Sequence, residues 1–291
     1  MAIKESELLI NKDGSIYHIN LKPEDIADTI ILVGDQDRVK MVSSFFTSIE
    51  IKKNKREFYT VTGIFNKKRI TVISTGIGTD NIDIVVNELD ALLNIDLKTR
   101  EIKKNKKSLN LIRIGTSGGL QAELFPGSYL VSSSSVGFDG MLNYYKDIIG
   151  ITDTKFEKAF MKHTNWNSRL AVPYIVNASK ELTNKLVGDK YIHGITISSN
   201  GFYGPQGRIL RLDTADNNLN DKIHTFEYEG RKITNYEMES SALTGLANML
   251  GHKATTVCLI IANRITKNAV SDYHPLMEEL VLDVLNKITD K

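Results

Sequence analysis

Four stretches of the chain consist almost entirely of apolar or small residues, and each ends at a glycine or a polar turn. They are TIILVG at 29–34, ITVISTG at 70–76, LIRIGTSGG at 111–119 and ATTVCLIIANR at 254–264. β-Branched residues dominate these runs, and charged residues are almost absent from them. The pattern therefore predicts four buried strands.

Helical periodicity follows two of these runs and also closes the chain. Apolar residues spaced three and four apart form one stripe over 82–93, and a similar stripe covers 243–250 with Gly251 as a helix stop. The C-terminal segment HPLMEELVLDVLNKITDK repeats the helical pattern. Strands that alternate with helices predict an α/β fold around one sheet. Because no repeat or linker interrupts the pattern, we expect a single domain over residues 1–291.

Length and charge set limits on the class of protein. The chain has 291 residues, of which 41% are hydrophobic, and its formal net charge is +2. A chain of this size can bury a sizeable core, and its mixed charges give no global field that would favour nucleic acid or a membrane surface. The lysine-rich run KTREIKKNKK contains no aromatic residue that could stack on a base, so we interpret it as a solvated loop.

Several kinds of site are absent from the sequence. Cys258 is the only cysteine, which excludes an internal disulfide and a cysteine-rich zinc site, and its apolar surroundings predict an inert buried thiol. There is no HExxH motif for a metal, no GxGxxG or P-loop motif for a nucleotide, no apolar run that could span a bilayer and no signal peptide. We expect a cytoplasmic protein without a metal or an organic cofactor.

Polar and glycine-rich turns follow each predicted strand. Gly34 and Arg38 follow the first strand, STGIG ends the second, GTSGG ends the third, and Arg264 ends the last. Because ligands bind beyond the carboxyl ends of strands in such sheets, these groups form one candidate site. Arginines and glycine-rich turns together favour a compact oxyanion such as phosphate, although a single arginine after a strand is usually a surface charge.

Arg113 is the most informative of these residues. It interrupts the apolar strand LIRIG, where an unpaired guanidinium would be costly. It therefore has to meet either a carboxylate or an anionic ligand. A structural salt bridge and an anion site remain equally open from this residue alone.

Seven motifs occur in the order and approximate spacing of one family. They are GDQDRV at 34–39, KREF at 55–58, STGIG at 74–78, RIGTSG at 113–118, FYGPQGR at 202–208, NYEMES at 235–240 and ANR at 262–264. With these motifs the chain resembles the nucleoside phosphorylases, and the uridine phosphorylase branch in particular, from about His18 to the last helix. The resemblance implies a central mixed β-sheet flanked by helices.

The resemblance also implies a shared phosphate site. Gly34, Arg38, Arg113 and Thr116 match the family's phosphate-binding residues, and Arg56 matches an arginine that comes from a neighbouring subunit. His18 matches a histidine that reaches the ribose of the adjacent protomer. The expected assembly is thus a homo-oligomer of dimers, and we predict a hexamer that is a trimer of dimers.

The stretch NYEMES is expected to hold the ribose. Glu239 matches the residue that accepts hydrogen bonds from the ribose hydroxyls, Met238 packs on the sugar, and Glu237 lies beside them. A carboxylate suits this role because it only accepts hydrogen bonds and can strengthen them as positive charge grows in the sugar. The alternative is a helix N-terminus, where glutamates are favoured and Met238 belongs to the core.

Base recognition is expected from FYGPQGR. The amide of Gln206 can pair with a pyrimidine edge, Arg208 can bind a carbonyl oxygen that becomes negative, and Phe202 can stack on the base. Where the purine branch carries an aspartate, this chain has Arg264. The alternatives are that Gln206 is only loop polarity and that Phe202 is only core. The whole nucleoside-binding set is His18, Thr116, Gly118, Phe202, Gln206, Arg208, Glu237, Met238, Glu239 and Arg264.

The chain also departs from its apparent family. Glu57, Ile77 and Asn81 match residues that hold a monovalent cation in some bacterial relatives, but a serine stands there in place of Asn81, which argues against the ion. The order Gly-Pro in FYGPQGR inverts the commoner one. We expect insertions near 98–108 and 213–232.

The resulting hypothesis is phosphorolysis of uridine to uracil and ribose 1-phosphate, with Arg113, Arg208, Gln206 and Glu239 as catalytic residues. Three alternatives stay open. A purine nucleoside phosphorylase or a nucleosidase of the same fold would be another enzyme, although a hydrolase has no need of the phosphate arginines. A nucleoside-binding or storage protein would be no enzyme at all.

Overall fold

The computed structural model describes residues 2–146, 148 and 150–289. Its strands are β1 (Thr29–Val33), β2 (Ser48–Lys55), β3 (Phe58–Phe65), β4 (Lys68–Ser74), β5 (Ile95–Asp96), β6 (Glu101–Ile102), β7 (Asn110–Gly119), β8 (Tyr129–Gly137), β9 (Tyr174–Asn177), β10 (Tyr191–Ser198), β11 (Glu227–Tyr228), β12 (Arg231–Glu237) and β13 (Lys253–Asn263). Its α-helices are α1 (Gln36–Ser44), α2 (Thr79–Asn94), α3 (Thr154–Thr164), α4 (Lys180–Thr183), α5 (Leu219–Thr225), α6 (Ser240–Leu250) and α7 (His274–Ile288). Short 3-10 turns cover Pro23–Asp25, Met141–Tyr144 and Gly204–Gln206.

Most strands join one mixed sheet, in the order β11-β12-β10-β8-β13-β7-β1-β4-β3-β2, with β9 beside β8. The strands β4, β1, β7 and β13 are parallel, as are β8, β10 and β12, whereas β13 and β8 are antiparallel. The end of β12 also pairs with the end of β7, where Tyr236 lies opposite Gly118. These pairings close a ring of strands that brings the carboxyl ends of β7, β12 and β13 together.

Helices cover both faces of the sheet, and β1 shows why its sequence is continuously apolar. Its side chains alternate between the faces. Ile30 and Leu32 pack in a cluster with residues of α2 and α6, while Ile31 and Val33 pack in another with residues of α1 and α7. All four side chains are fully buried. A strand that is buried on both faces favours apolar side chains at every position.

The structure confirms the predicted α/β fold with a mixed sheet flanked by helices. The four predicted strands are β1, β4, β7 and β13, and the three predicted helices are α2, α6 and α7. Gly251 ends α6 in the left-handed region, with φ +80°. No helix among the described residues combines the length and apolar composition needed to cross a bilayer.

The two expected insertions have different structures. Residues 101–108 are all exposed, as a solvated loop requires. The segment 213–232 contains α5 and β11 and buries Ile223 and Phe226 in a third apolar cluster with β10 and β12. That either segment is an insertion remains a prediction.

Candidate active site

A buried ion cluster joins Arg113, in the first half of β7, to Glu237 at the end of β12 and to Glu239 just after it. The guanidinium of Arg113 donates through Nη2 to Oε2 of Glu239, and its Nη1 lies 3.3 Å from Oε2 of Glu237. The Arg113 side chain is only 6% exposed. The salt bridge that the sequence left open is therefore present, and the binding of an anion by Arg113 remains a prediction.

Electrostatics within this cluster oppose the cost of burial. Burial by itself lowers the pKa of Arg113, but the charges of Glu239 and then Glu237 raise it above the usual value, so the guanidinium stays charged. Burial raises the pKa of Glu239, the charge of Arg113 opposes that rise, and the charge of Glu237 adds to it. Burial also raises the pKa of Cys258 to about 12, which fits the inert buried thiol predicted there.

Glu237 caps the helix that follows it. Its carboxylate accepts hydrogen bonds from the backbone N–H of Glu239 at 2.9 Å and of Ser240 at 2.9 and 3.0 Å. It also accepts from the hydroxyls of Ser198 at 2.5 Å and Ser240 at 2.7 Å. These bonds satisfy the free N–H groups that begin α6. The helix-terminus interpretation thus holds for Glu237, and contact between Glu237 and a nucleoside remains a prediction.

Glu239 and Met238 differ from Glu237 in what they contact. Besides Arg113, the carboxylate of Glu239 accepts from the backbone N–H of Gly78 at 2.7 Å, in the loop between β4 and α2. Met238 is half-buried between buried neighbours and belongs to none of the apolar clusters among the described residues. Met238 thus lies outside these described clusters, and its contact with a sugar remains a prediction.

Four of the five predicted phosphate residues lie on neighbouring elements: Gly34 follows β1, Arg38 lies in α1, and Arg113 and Thr116 lie in β7. In the parallel register of β1 and β7, Leu32 lies opposite Arg113, so Gly34 follows β1 next to the ion cluster. Arg38 lies in the first turn of α1; its side chain is 11% exposed, and its Nη2 is 3.4 Å from Asp35. Thr116 is half-buried near the end of β7. Arginine side chains and small residues therefore lie in and just after the neighbouring central strands β1 and β7.

The predicted base residues form a connected group. Nη1 of Arg208 donates to Oε1 of Gln206 and to the carbonyl of Phe202, both at 2.5 Å. The Arg208 guanidinium also lies 3.7 Å from the centre of the Phe202 ring. Gln206 is buried, whereas Phe202 is 50% exposed and so is not a core residue. The core alternative for Phe202 therefore fails, whereas the contact of Gln206 with a base remains a prediction.

Arg264 joins this group from the end of β13. Its guanidinium lies 5.5 Å from the centre of the Tyr236 ring, and its Nη1 is buried without a partner among the described residues. The aliphatic stem of Arg264 packs beside Gly118, where a Cβ would make an ordinary contact at 3.5 Å with its Cγ and Cδ. Burial lowers the pKa of Arg264 and, together with the charge of Arg264, that of Arg208. Two cations thus lie close together at this end of the site.

His18 and Arg56 both lie beside the ring of Tyr17. Nδ1 of His18 is 2.6 Å from Glu88, and the ring of His18 contacts Tyr17 edge to face. Arg56 is exposed between β2 and β3, and its guanidinium is 5.8 Å from the centre of the Tyr17 ring. Among the described contacts, none joins His18 or Arg56 to Arg113, Glu239 or Gln206.

The residues of the doubtful cation site lie around Gly76. A Cβ on Gly76 would be 2.5 Å from Nδ2 of Asn81 and 3.2 Å from Cγ of Glu57. Nδ2 of Asn81 donates to the carbonyl of Ile77 at 3.4 Å, so an amide hydrogen already faces that oxygen. Within the described part of the chain, no group of three or more His, Cys, Asp or Glu side chains could hold a metal ion.

Sequence reasoning missed three contributors. Gly78 reaches Glu239 through its backbone, Tyr236 lies beneath Arg264, and Asn220 contacts the turn that carries Gln206. Tyr236 belongs to the motif NYEMES, and Gly78 belongs to STGIG, so position in a motif was a usable signal for both. Nothing local distinguishes Asn220 from the other polar residues around it.

Comparison with known proteins agrees with the fold. The sequence model of the phosphorylase superfamily matches residues 28–289. The uridine phosphorylase of Thermococcus kodakarensis is 30% identical over 264 residues, which cover 88% of this chain and 80% of that one. A Trypanosoma brucei nucleoside phosphorylase that shows uridine phosphorylase activity has a similar crystal structure, with a TM-score of 0.86, 28% identity and coverage of 98% and 100%. A DeoD-type purine nucleoside phosphorylase of Bacillus velezensis is 24% identical, with coverage of 86% and 88%.

Proposed function

The chain belongs to the phosphorylase superfamily, and we propose that it catalyses the reversible phosphorolysis of uridine to uracil and ribose 1-phosphate. The observation that carries this proposal is the hydrogen bond between Arg208 and Gln206 at 2.5 Å, with Arg264 close by. Within the described residues, neither arginine forms an ion pair with a carboxylate. The base end of the site is therefore cationic and contains an oriented amide.

This composition suits a uracil leaving group. Because Oε1 of Gln206 already accepts from Arg208, its Nε2 is the donor for a uracil carbonyl, and the second lone pair of Oε1 can accept from N3–H. Negative charge develops on the base as the glycosidic bond breaks, and the guanidiniums of Arg208 and Arg264 stabilise it. A purine leaving group instead profits from a proton donor, for which neither arginine is suited.

The other half of the reaction needs phosphate and ribose to be held together. Arg38, Arg113, Gly34 and Thr116 are the proposed phosphate contacts, and phosphate attacks the anomeric carbon as the base departs. Glu239 accepts from the ribose hydroxyls through its ionised carboxylate, while Arg113 and the Gly78 N–H keep that carboxylate in place. The negative carboxylate stabilises the positive charge that develops in the sugar in the transition state.

We further propose that the site is completed by a second subunit. His18 and Arg56 make no contact with the ion cluster of their own protomer among the described residues, and both contact Tyr17. In an oligomer built from dimers with closed symmetry, each subunit would lend these two residues to its partner. We propose a hexamer of three such dimers.

A nucleoside panel tests the proposed reaction. Purified protein is incubated with uridine, inosine and adenosine, each with and without phosphate, and base release and ribose 1-phosphate are measured. The proposal requires release of uracil that depends on phosphate and is faster than release from either purine nucleoside. Preferred turnover of inosine would favour a purine nucleoside phosphorylase, and release without phosphate would favour a nucleosidase.

A further inference from the structure

The turn that carries Gln206 has little packing behind it. Gly204, Pro205 and Gly207 line a cavity of about 330 Å³, which residues 213–216 and Leu219 also line. Protein interiors normally fix a turn through close packing. Where the turn borders this cavity it lacks such packing, so specific bonds contribute more to holding it in place.

Asn220 in α5 makes such a bond to the turn. Its Nδ2 donates to the backbone carbonyl of Gln206 at 3.1 Å, and its Oδ1 accepts from the hydroxyl of Tyr236 at 3.1 Å. A carbonyl can only accept and an amide nitrogen can only donate, so these two partners fix the orientation of the Asn220 amide. One side chain thereby ties the turn to the strand β12 beneath it.

Gly207 is shaped to accept this contact. It has a left-handed φ of +67°, and a Cβ on it would lie 2.3 Å from Nδ2 of Asn220. The absence of a side chain lets the amide approach the backbone of the turn. Asn220 thus contacts two adjacent residues: it packs against Gly207 and donates a hydrogen bond to the carbonyl of Gln206. Together these contacts constrain the backbone that carries the Gln206 side chain.

The helix that carries Asn220 is itself well anchored. Ile223 of α5 is fully buried, and Nδ1 of His224 lies 2.8 Å from the carbonyl of Leu120. Nε2 of Gln121 also reaches the carbonyl of His224 at 3.3 Å. Asn220 is thus a rigid support on a fixed element, which is what precise placement of a binding group requires.

We propose that Asn220 is a specificity-determining positioning residue, which acts through Gln206 to align the amide that reads the base. The inference rests on the proposed function, since it takes Gln206 to be the base reader. Asn220 is not expected to touch the substrate. Its loss should weaken recognition of the base and leave the phosphate site unchanged.

Asn220→Asp is the sharpest test, because it keeps the shape and the bond from Tyr236 but sets an oxygen against the Gln206 carbonyl. Asn218→Asp is the matched control: the residue is exposed at the start of the same helix, and its side chain makes no capping hydrogen bond. Losing one bond and gaining a repulsion should raise KM for uridine about tenfold in Asn220→Asp. KM for phosphate should stay within about twofold, and Asn218→Asp should behave as wild type.

A double-mutant cycle separates positioning from a general effect on folding. In the Gln206→Ala background, Asn220→Asp should have no further effect on kcat/KM for uridine, because the group it aligns is gone. An equal loss in both backgrounds, or an unchanged KM for uridine in folded Asn220→Asp, overturns the inference. If Asn220→Asp does not fold, Asn220→Ala removes both hydrogen bonds without a charge, and the same two outcomes decide.

The cycle remains decisive if the proposed substrate is wrong. The wild-type protein is first tested on the nucleoside panel, and preference for inosine would refute the uridine assignment alone. The cycle is then run with the preferred nucleoside. Coupling between positions 206 and 220 supports the positioning role, and additivity refutes it, whichever base the enzyme releases.

Discussion

Gly115 leaves open the space that the guanidinium of Arg113 occupies: a Cβ at position 115 would lie 2.1 Å from Nη1 of Arg113. We therefore expect Gly115→Ala to displace the guanidinium from Glu237 and Glu239. Overpacking a buried site of this kind costs about 1–3 kcal/mol in the free energy of unfolding. Chemical denaturation and kcat/KM for uridine should both show a loss. Wild-type values for both would mean that Arg113 can move without consequence.

Arg113→Ala should have a larger effect, because it leaves two buried carboxylates without their cation. Breaking a buried pair in this way destabilises a protein by about 3–5 kcal/mol. In the protein that remains folded, loss of a charge-assisted contact in a sheltered site should lower kcat/KM by about a hundredfold or more.

The control for this variant is Lys190→Ala, which breaks an exposed pair with Glu279, where the two side chains are 55% and 51% exposed. It should leave the rate unchanged, since exposed pairs contribute little. A folded Arg113→Ala protein with nearly normal kcat/KM would show that Arg113 serves structure alone.

The pH dependence of activity should reflect the protonation of the Glu239 carboxyl. Burial raises the pKa of this carboxyl above its ordinary value, and only the ionised form accepts hydrogen bonds from both ribose hydroxyls. Since protonation removes activity, a raised pKa moves the acidic limb of the profile to higher pH. As the pH is lowered, we expect kcat/KM for uridine to begin to fall while the pH is still above about 4.3, the approximate pKa of an exposed glutamate. Glu239→Gln should be slow at every pH and lack this limb, whereas a wild-type profile that stays flat to that pH would contradict the assignment.

Changing Glu237 or Glu239 to glutamine should have different effects on stability and on activity. Glu237 accepts hydrogen bonds from two backbone N–H groups and two hydroxyls at the start of α6, and an amide nitrogen cannot accept. Glu237→Gln should therefore lower the midpoint of thermal unfolding more than Glu239→Gln does. Glu239→Gln should reduce kcat/KM more than Glu237→Gln does, because Glu239 is the proposed acceptor for the ribose hydroxyls. Its bonds within the protein are those with Arg113 and the N–H of Gly78. Equal effects on both measurements would mean that the carboxylates act as one unit.

The sequence predicted those parts of the fold that leave a local pattern. Strands such as β1 are apolar throughout because both faces are covered, and α2 shows one apolar stripe. β2 was not predicted, since all of its residues are exposed or half-buried and three of them are lysines. The closure of the sheet by β12 on β7 depends on pairing between distant segments, which periodicity does not report.

The candidate site divides in the same way. Arg113 could be identified from the sequence because a charge in an apolar strand needs a partner. Its partner Glu239 lies 126 positions away, and only the resemblance to the family placed both residues in one site. Asn220 lies in a polar stretch with asparagines at 217 and 218. Its two hydrogen bonds exist because α5 folds back against the base turn, so no local feature could have identified it.

The last prediction concerns the sharing of sites between subunits. Arg56 is exposed between β2 and β3, and its carbonyl is held by Gln36, so its guanidinium projects from a fixed backbone. If Arg56 completes a partner's site, then Arg56→Ala and Glu239→Ala subunits are each inactive alone. A mixed dimer contains one doubly damaged site and one intact site, so mixing them in equal amounts should restore about a quarter of wild-type activity if exchange is complete and random. Mixed dimers are demonstrated with two different affinity tags, and the control mixes Glu239→Ala with Arg113→Ala, which damages every site. Recovery in that control, absence of recovery in proven Arg56→Ala and Glu239→Ala dimers, or normal turnover by a stable monomer would each refute the shared site.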